Sequence, residues 1–539
     1  MASSLPHDVL IEVFRLIPHP EIHWHRYGLL DVTGVNKTWR IAALESGALW
    51  SCIRIENRRD FSLLPLLLER SHISPLDVRL DLFCNQYGNL SGDTTPRERA
   101  EVVQALLPHV RRIQKLYIRH QMLESDSEDM QTIMRLLGAG LEFTILTEYT
   151  HKCMRDDDDS AESATLNFTA SNLLKASLDG VCPREWPTLL TPTLVELHIA
   201  SIDMDVLGTV FQRCHSLTSL KLHNAFEEAG PLSHSGPLIP PPSIRTLDLH
   251  ISMPEIMAVL KLFSTGPTLH SIAICDDQGL TARALGRKKP HPILTHMLRG
   301  LAPLTAFEVY GDQDVILRDA AGRTRRFEVE AEDDPCYETN ALWAFLATRY
   351  DAHHSVRTIL GATTTWGSLA PALERHQPEP PVDSGVELQI ILDDYRSFQE
   401  SCEAGDTPPL HLAALSKLTL QPPVGVLKPR CSVEAVLQML SMVHSERRGV
   451  VVCLGEVSLK DVTPRSYVAG YQTLADGLTG VGPAVNSAEL GIPVFPSPVF
   501  YTFIFCLAQL ACFPSSGILK RGFFGAFPDG AAYPSLWTV

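Results

Sequence analysis

A few stretches of this chain hold residue types whose spacing could support chemistry. Gly138-Ala139-Gly140 opens like a dinucleotide-binding turn, where glycines let the backbone approach a pyrophosphate, but Phe143 stands where the third glycine belongs. A tight turn is the expectation there. His23 and His25 could chelate a metal only with further donors, which the sequence does not supply at ligand spacing, and His353-His354 has no better support. The run Asp156 to Asp159 could hold a cation or a basic partner, yet like charges in a row are ordinarily a solvated loop. No Gly-x-Ser-x-Gly elbow, Walker loop or His-Glu-x-x-His is present. The chain therefore reads as non-catalytic, with no catalytic residue, cofactor or metal site expected.

A second set of chemistry-bearing residues emerges from a repeat. The pattern Leu-x-x-Leu-x-Leu, with aliphatic replacements, occurs as Ile113-Leu116-Ile118, Leu194-Leu197-Ile199, Leu217-Leu220-Leu222, Ile244-Leu247-Leu249, Leu269-Ile272-Ile274, Leu304-Phe307-Val309 and Leu415-Leu418-Leu420. From residue 194 to 269 the steps are 23, 27 and 25 residues, within the leucine-rich-repeat range. Alternation along a strand sends Leu220 and Leu222 to a core and Lys221 to the opposite face. His198, Lys221, Asp248 and Ala273 are the equivalent central positions, expected side by side. A chemically mixed row of this kind suits a protein surface, so His198, Lys221 and Asp248 are candidate substrate-binding residues. Trp186, Trp343 and Trp366 could anchor an interface, although core packing is the simpler reading of each.

The elements that must position these residues follow from periodicity. Val206 to Cys214 and Pro254 to Phe263 have helical apolar spacing and lie between the strands. Leu76 to Leu82 alternates apolar and charged as a half-buried strand does. Before it, Phe61 to Ser71 reads as a helix interrupted or restarted at Pro65. At the start of the chain, Leu5-Pro6 leads into Val9 to Ile17, with Leu10, Val13, Phe14 and Ile17 on one helical face, ended by Pro18 and Pro20. Leu29-Leu30, then Val35, Trp39 and Ala42, then Leu49-Trp50, complete a unit too small to be comfortably stable alone. Cys52 to Ile55 alternates like a strand.

The order Leu5-Pro6, Phe14, Val35, Trp39-Arg40, Ala42-Ala43-Leu44, Leu49-Trp50 resembles the F-box, although Asn36-Lys37 stands where many members carry Cys-Arg. The resemblance implies a three-helix unit that docks on a Skp-type adaptor of cullin-RING ubiquitin ligases, with Leu5, Pro6, Leu10, Phe14, Leu30, Val35 and Trp39 as the adaptor-binding set. An F-box followed by irregular leucine-rich repeats resembles the large F-box families of mushroom-forming fungi, in which the repeats would recognise the substrate.

The expected fold is α/β. An all-α F-box unit occupies residues 1–56, an irregular leucine-rich-repeat solenoid with parallel strands 57–430, and a C-terminal region 431–539 holds a last helix and strand, Val433 to Val443 and Val450 to Leu454, then a low-charge tail. The function expected from the resemblance is a substrate-receptor subunit of a Skp-cullin-F-box ubiquitin ligase binding an unknown protein substrate. The alternative is a repeat scaffold acting outside a ligase. Forty-six Lys and Arg against 62 Asp and Glu give a net charge of −16, which argues against a general nucleic-acid binder. Twelve scattered cysteines without a Cys-x-x-Cys pair fit reduced thiols in a cytoplasmic or nuclear protein. The charge-free stretch between Glu489 and Lys520 has an apolar run too short to span a bilayer and is flanked by prolines, so a membrane is not an expected partner.

Overall fold

A computed structural model of the chain describes most of residues 5–459. Segments 16–32, 83–95, 123–139, 156–161, 224–237, 264–268, 277–291, 330–341, 380–384, 394–407, 422–429, 432–441, 445–450 and everything after 460 lie outside the described residues, with a few shorter gaps. The chain divides into two compact units, one built on residues 1–52 with Leu66–Ser74, the other on Ile53–Pro65 with Pro75–Gly491.

In the first unit, α1 (His7–Arg15) buries Leu10 and Phe14, which the four-residue spacing stacks on one face. α2 (Lys37–Glu45) begins at Asn36, whose side-chain oxygen accepts the Trp39 N–H at 2.9 Å. An Asn at this position satisfies one of the amides that a helix start leaves unpaired. The Phe14 and Trp39 rings meet edge to face with centroids 5.3 Å apart. A 3-10 turn at Gly47–Trp50 then buries Trp50, whose indole N–H donates to the Ala43 carbonyl at 2.7 Å.

Leu66–Ser74 groups with residues 1–52 in this unit. The packing explains why. The Arg70 guanidinium lies 4.4 Å from the centroid of the Trp50 ring, and a side chain added at Gly47 would stand 2.7 Å from the Ser71 carbonyl oxygen. The helix expected to break at Pro65 runs unbroken as α3 (Arg58–Arg70), with Pro65 inside it. One lost backbone hydrogen bond is tolerated where neighbouring packing holds the helix.

The second unit is built on one sixteen-stranded sheet. In chain order its strands are β1 (Cys52–Ile55), β2 (Leu76–Leu82), β3 (Ile113–Met122), β4 (Glu148–Arg155), β5 (Lys175–Asp179), β6 (Glu196–Ala200), β7 (Ser219–His223) and β8 (Thr246–His250). They continue with β9 (Ser271–Asp276), β10 (Leu304–Tyr310), β11 (Asp314–Asp319), β12 (Thr324–Val329), β13 (Thr358–Ala362), β14 (Val386–Ile391), β15 (Leu415–Gln421) and β16 (Val451–Leu454). Spatial order follows chain order except that β10, β11 and β12 are reversed, and pairing from β2 onward is parallel apart from β10 with β11 and β11 with β12.

The leucine repeat sets this register. Leu197, Leu220, Leu247 and Ile272 are direct partners across β6 to β9 and are all buried. The first leucine of each motif, Leu194, Leu217, Ile244 and Leu269, is buried beside them. Between the strands, α4 (Met204–Arg213) and α5 (Met253–Leu262) bury Leu207, Val210 and Phe211, and Ile256, Val259 and Leu260, as their spacing predicts.

The repeats are also joined by a recurring hydrogen-bond device. The Val195 carbonyl accepts two successive amides, Thr218 at 2.8 Å and Ser219 at 3.1 Å, and Thr218 does the same for Arg245 and Thr246. Arg245 accepts from His270 and Ser271, and Leu174 from Val195 and Glu196. Each repeat thus pins the start of the next strand at the same height, which keeps side chains in rows.

Two parts of the pattern were illegible in sequence. Residues 119–190, which lack a clear motif, carry β4 and β5, whose inward positions are Tyr149 with His151 and Ala176 with Leu178. Tyr149 Oη lies 3.0 Å from His151 Nδ1, so a polar pair fills a place where leucines stand elsewhere. The second is at Leu304-Phe307-Val309, which does not neighbour the preceding motif. β9 pairs instead with β12, because a hairpin returns the chain by two strands. The turn into β12 is fixed by Asp319, whose carboxylate accepts the Ala302, Ala321 and Arg323 amides at 2.8–2.9 Å, with Gly322 at a φ of +76°. Farther on, the predicted strand at Val450 to Leu454 is present as β16, whereas the helix expected at Val433 to Val443 lies almost wholly outside the described residues.

Candidate functional site

Because the register is continuous, residues one place along from each buried leucine line up on the other face of the sheet. The central row reads Arg79, Tyr117, Thr150, Ser177, His198, Lys221, Asp248, Ala273 and Arg326 across β2 to β9 and β12. Every member is partly exposed. His198, Lys221 and Asp248 are therefore adjacent in space, as the repeat predicts, although 50 residues of chain separate the first from the last.

The charges on this face are cross-strand partners. Lys221 Nζ lies 3.1 Å from Asp248 Oδ2, Lys115 Nζ 2.9 Å from Glu148 Oε1, and Lys175 Nζ 3.0 Å from Glu196 Oε1. Arg326 grips Asp314 with two nitrogens at 2.7 and 2.8 Å, and Lys417 reaches Glu387 at 2.7 Å. Opposite charges on neighbouring strands, directly paired or diagonal as for Arg326 and Asp314, stabilise a sheet by a few tenths of a kcal/mol to about 1 kcal/mol each. They also leave the face locally neutral, so it offers hydrogen-bonding points rather than a field of one sign.

His198 is half-buried. Its Nδ1 lies 2.9 Å from Ser177 Oγ, while its Nε2 is buried with no hydrogen-bond partner. Burial first, and Lys221 second, push its pKa down to about 4, so the ring is neutral at neutral pH. For Asp248, burial works to raise the carboxyl, but His250 and Lys221 outweigh it and hold it below the ordinary value. His250 Nε2 stands 3.0 Å from Asp248 Oδ1, close enough for an ion pair yet off the angle of a directed hydrogen bond.

The adaptor-binding set separates by burial. Leu10, Phe14 and Trp39 form the core of the N-terminal unit and are at most 5% exposed, so a docking role for their side chains needs that core to open. Leu5, Pro6 and Val35 are exposed, and Leu30 lies outside the described residues. Trp186, Trp343 and Trp366 are buried, the last two donating their indole N–H groups to the carbonyls of His376 and Pro408. All three are core residues.

The other sequence candidates resolve as structural or fall outside the description. Gly140 has a φ of +66°, a left-handed conformation open to glycine, while Gly138 and Ala139 lie outside the described residues. His353 and His354 place their Nδ1 atoms 2.8 and 3.0 Å from the carbonyls of Ala347 and Glu379. His23, His25 and Asp156 to Asp159 lie outside the described residues. Among the described residues no helix is long and apolar enough to cross a membrane.

Sequence reasoning missed a second polar row, two residues along each strand from the central one. His223, His250, Cys275, Glu328 and Asp314 are consecutive partners across β7, β8, β9, β12 and β11. The signal that would have found its first half is the residue directly after each motif, which is His223, His250 and Cys275. Its second half depends on the hairpin. Scans against family models and against curated proteins found no match to this chain.

Proposed function

We propose that this chain is a non-catalytic substrate receptor of a Skp-cullin-F-box type ubiquitin ligase. In this reading the N-terminal unit is an F-box that binds the Skp-type adaptor, and residues 57–430 are an irregular leucine-rich-repeat solenoid that binds a protein substrate. The reading rests on the F-box resemblance of residues 5–50 joined to the ladder of Leu-x-x-Leu-x-Leu strands. The observation that carries it is the exposure of apolar side chains on so small a unit, with Leu5, Val9, Val35 and Ile41 between 39% and 41% exposed. Ile73 of the same unit is exposed as well, and outside it, among the described residues, the exposed large apolar side chains are Leu174, Ile239 and Tyr350. An exposed apolar set on a unit that buries little core of its own marks a place for a partner.

The adaptor contact then narrows to Leu5, Pro6 and Val35, with Leu10, Phe14 and Trp39 supporting them from beneath. The chain contributes proximity rather than bond chemistry, holding substrate lysines near a charged enzyme carried elsewhere in the ligase. On the sheet, His198, Lys221 and Asp248 are the proposed substrate contacts. The test is affinity purification of the full chain from its native cells. Recovery of a Skp-type adaptor and a cullin is expected, with both lost on combined Leu5→Ala and Pro6→Ala substitution while the circular-dichroism spectrum is kept. Undiminished adaptor recovery with the double variant rejects the docking edge, and partners recovered without any adaptor favour a scaffold outside the ligase.

A further inference from the structure

We infer that His250, Cys275 and Glu328 form a binding site for a divalent transition metal of the zinc type. The three come from neighbouring strands β8, β9 and β12, in direct register with one another, and point to the same face of the sheet. One donor atom from each lies within 4.8 Å of the others. The two outer strands stand about 9.6 Å apart, so the His250 and Glu328 side chains already lean toward Cys275, and a further approach of about 1 Å gives the roughly 3.3–3.8 Å donor separation of a tetrahedral site. Rotation of the Glu328 side chain and the His250 ring supplies that much movement.

The donor set selects the ion. One thiolate, one imidazole and one carboxylate suit a borderline-soft cation, while magnesium and calcium prefer oxygen alone. Thiolate and carboxylate together carry two negative charges, which match a dication. Cys275 is 5% exposed and sits between the other two, so the metal would cover it from the solvent side. Binding replaces the thiol proton by the metal and releases that proton to solvent. The fourth position falls to water.

The Asp248 carboxylate lies 3.0 Å from His250 Nε2, a charge contact that holds this edge of the ring and leaves its other nitrogen to serve the metal. Arg326 contacts Glu328 at Oε2, 3.2 Å away, but its two-nitrogen grip is on Asp314, so the Glu328 contact is the weaker of its two. The His223 ring stands beside His250 with centroids 5.5 Å apart, closing the row on its other side.

The test uses the full chain, stripped with a chelator and titrated with Co²⁺ as the spectroscopic probe, followed by Zn²⁺. One equivalent of Co²⁺ is expected to bind with a thiolate-to-cobalt charge-transfer band, which Zn²⁺ then abolishes. Cys275→Ser should remove the band, and His250→Gln and Glu328→Gln should each weaken Co²⁺ binding at least tenfold. Cys453→Ser, elsewhere in the sheet, should leave both unchanged. The site is rejected if the stripped wild-type chain takes up no stoichiometric Co²⁺, or if the band persists in Cys275→Ser. Should Cys275→Ser fail to fold, the partly exposed Glu328→Gln decides, and unchanged affinity there also rejects it.

Discussion

Arg325 occupies a position that the repeat reserves for leucine. It is the register partner of Ile272 and only 1% exposed, yet its guanidinium donates to the carbonyls of Met297 at 2.6 Å, Thr324 at 2.7 Å, and His270 and Leu269 at 3.3 Å. Burial lowers its pKa to about 10, which still leaves it charged at neutral pH. Four carbonyls lose the guanidinium as a donor in Arg325→Ala, although His270 keeps the Thr324 amide, so a loss of about 3 kcal/mol is expected, measurable as a drop in the urea midpoint. His198 gives a pH prediction. Its folded pKa of about 4 lies below the ordinary 6.5, so on acidification the unfolded chain gains a proton that the folded chain refuses. Its contribution is whole above pH 6.5, falls as pH drops toward 4, and changes no further below that. His198→Gln should therefore flatten the fall of Tm across that window. Parallel Tm curves for the two proteins would show that the ring is not the neutral buried group described.

Elements here are held by a few local devices whose removal has separable costs. Asn36 caps α2 through the Trp39 amide, so Asn36→Ala should cost about 1 kcal/mol and Asn36→Gly only a few tenths. Gly180 is a harsher case, because it follows β5 with a φ of +68° and a Cβ there would stand 2.4 Å from the Cys153 carbonyl oxygen. A backbone carbonyl in a paired strand has nowhere to move, so Gly180→Ala should cost roughly 2 kcal/mol or more, combining left-handed strain with overpacking. A thermal melt of both variants beside the wild type checks the order, and a Gly180→Ala melt no lower than that of Asn36→Ala would contradict it.

For the whole molecule, charge is the property that sequence alone predicts. The chain carries a net −16, and on the sheet face lysines and arginines are paired with acids on the next strand, so among the described residues this face offers no basic stripe to neutralise phosphates. A mobility-shift assay with duplex DNA at about 0.15 M salt should show no binding. A shifted band would mean that a basic surface has been overlooked.

The sequence by itself determined the local grammar of this protein. The 3.6-residue and two-residue periods gave α1, α4, α5, the strand at Leu76–Leu82 and the strands that carry the leucine motif, and the spacing of leucines gave the row His198, Lys221, Asp248 and Ala273, because parallel repeats of similar length can stack in only one register without exposing their leucines. Tertiary structure decided the rest. Tyr149, His151 and Ala176 hold leucine positions that no apolar pattern announces, since burial there is satisfied by a hydrogen bond or by a small side chain. Hairpin formation through Asp319 put Glu328 beside Cys275, and the loss of Leu10, Phe14 and Trp39 to the core decided which apolar residues of the first unit stay exposed. Pairing between distant strands is a property of the folded chain, and a linear spacing rule carries no information about it until the register is known.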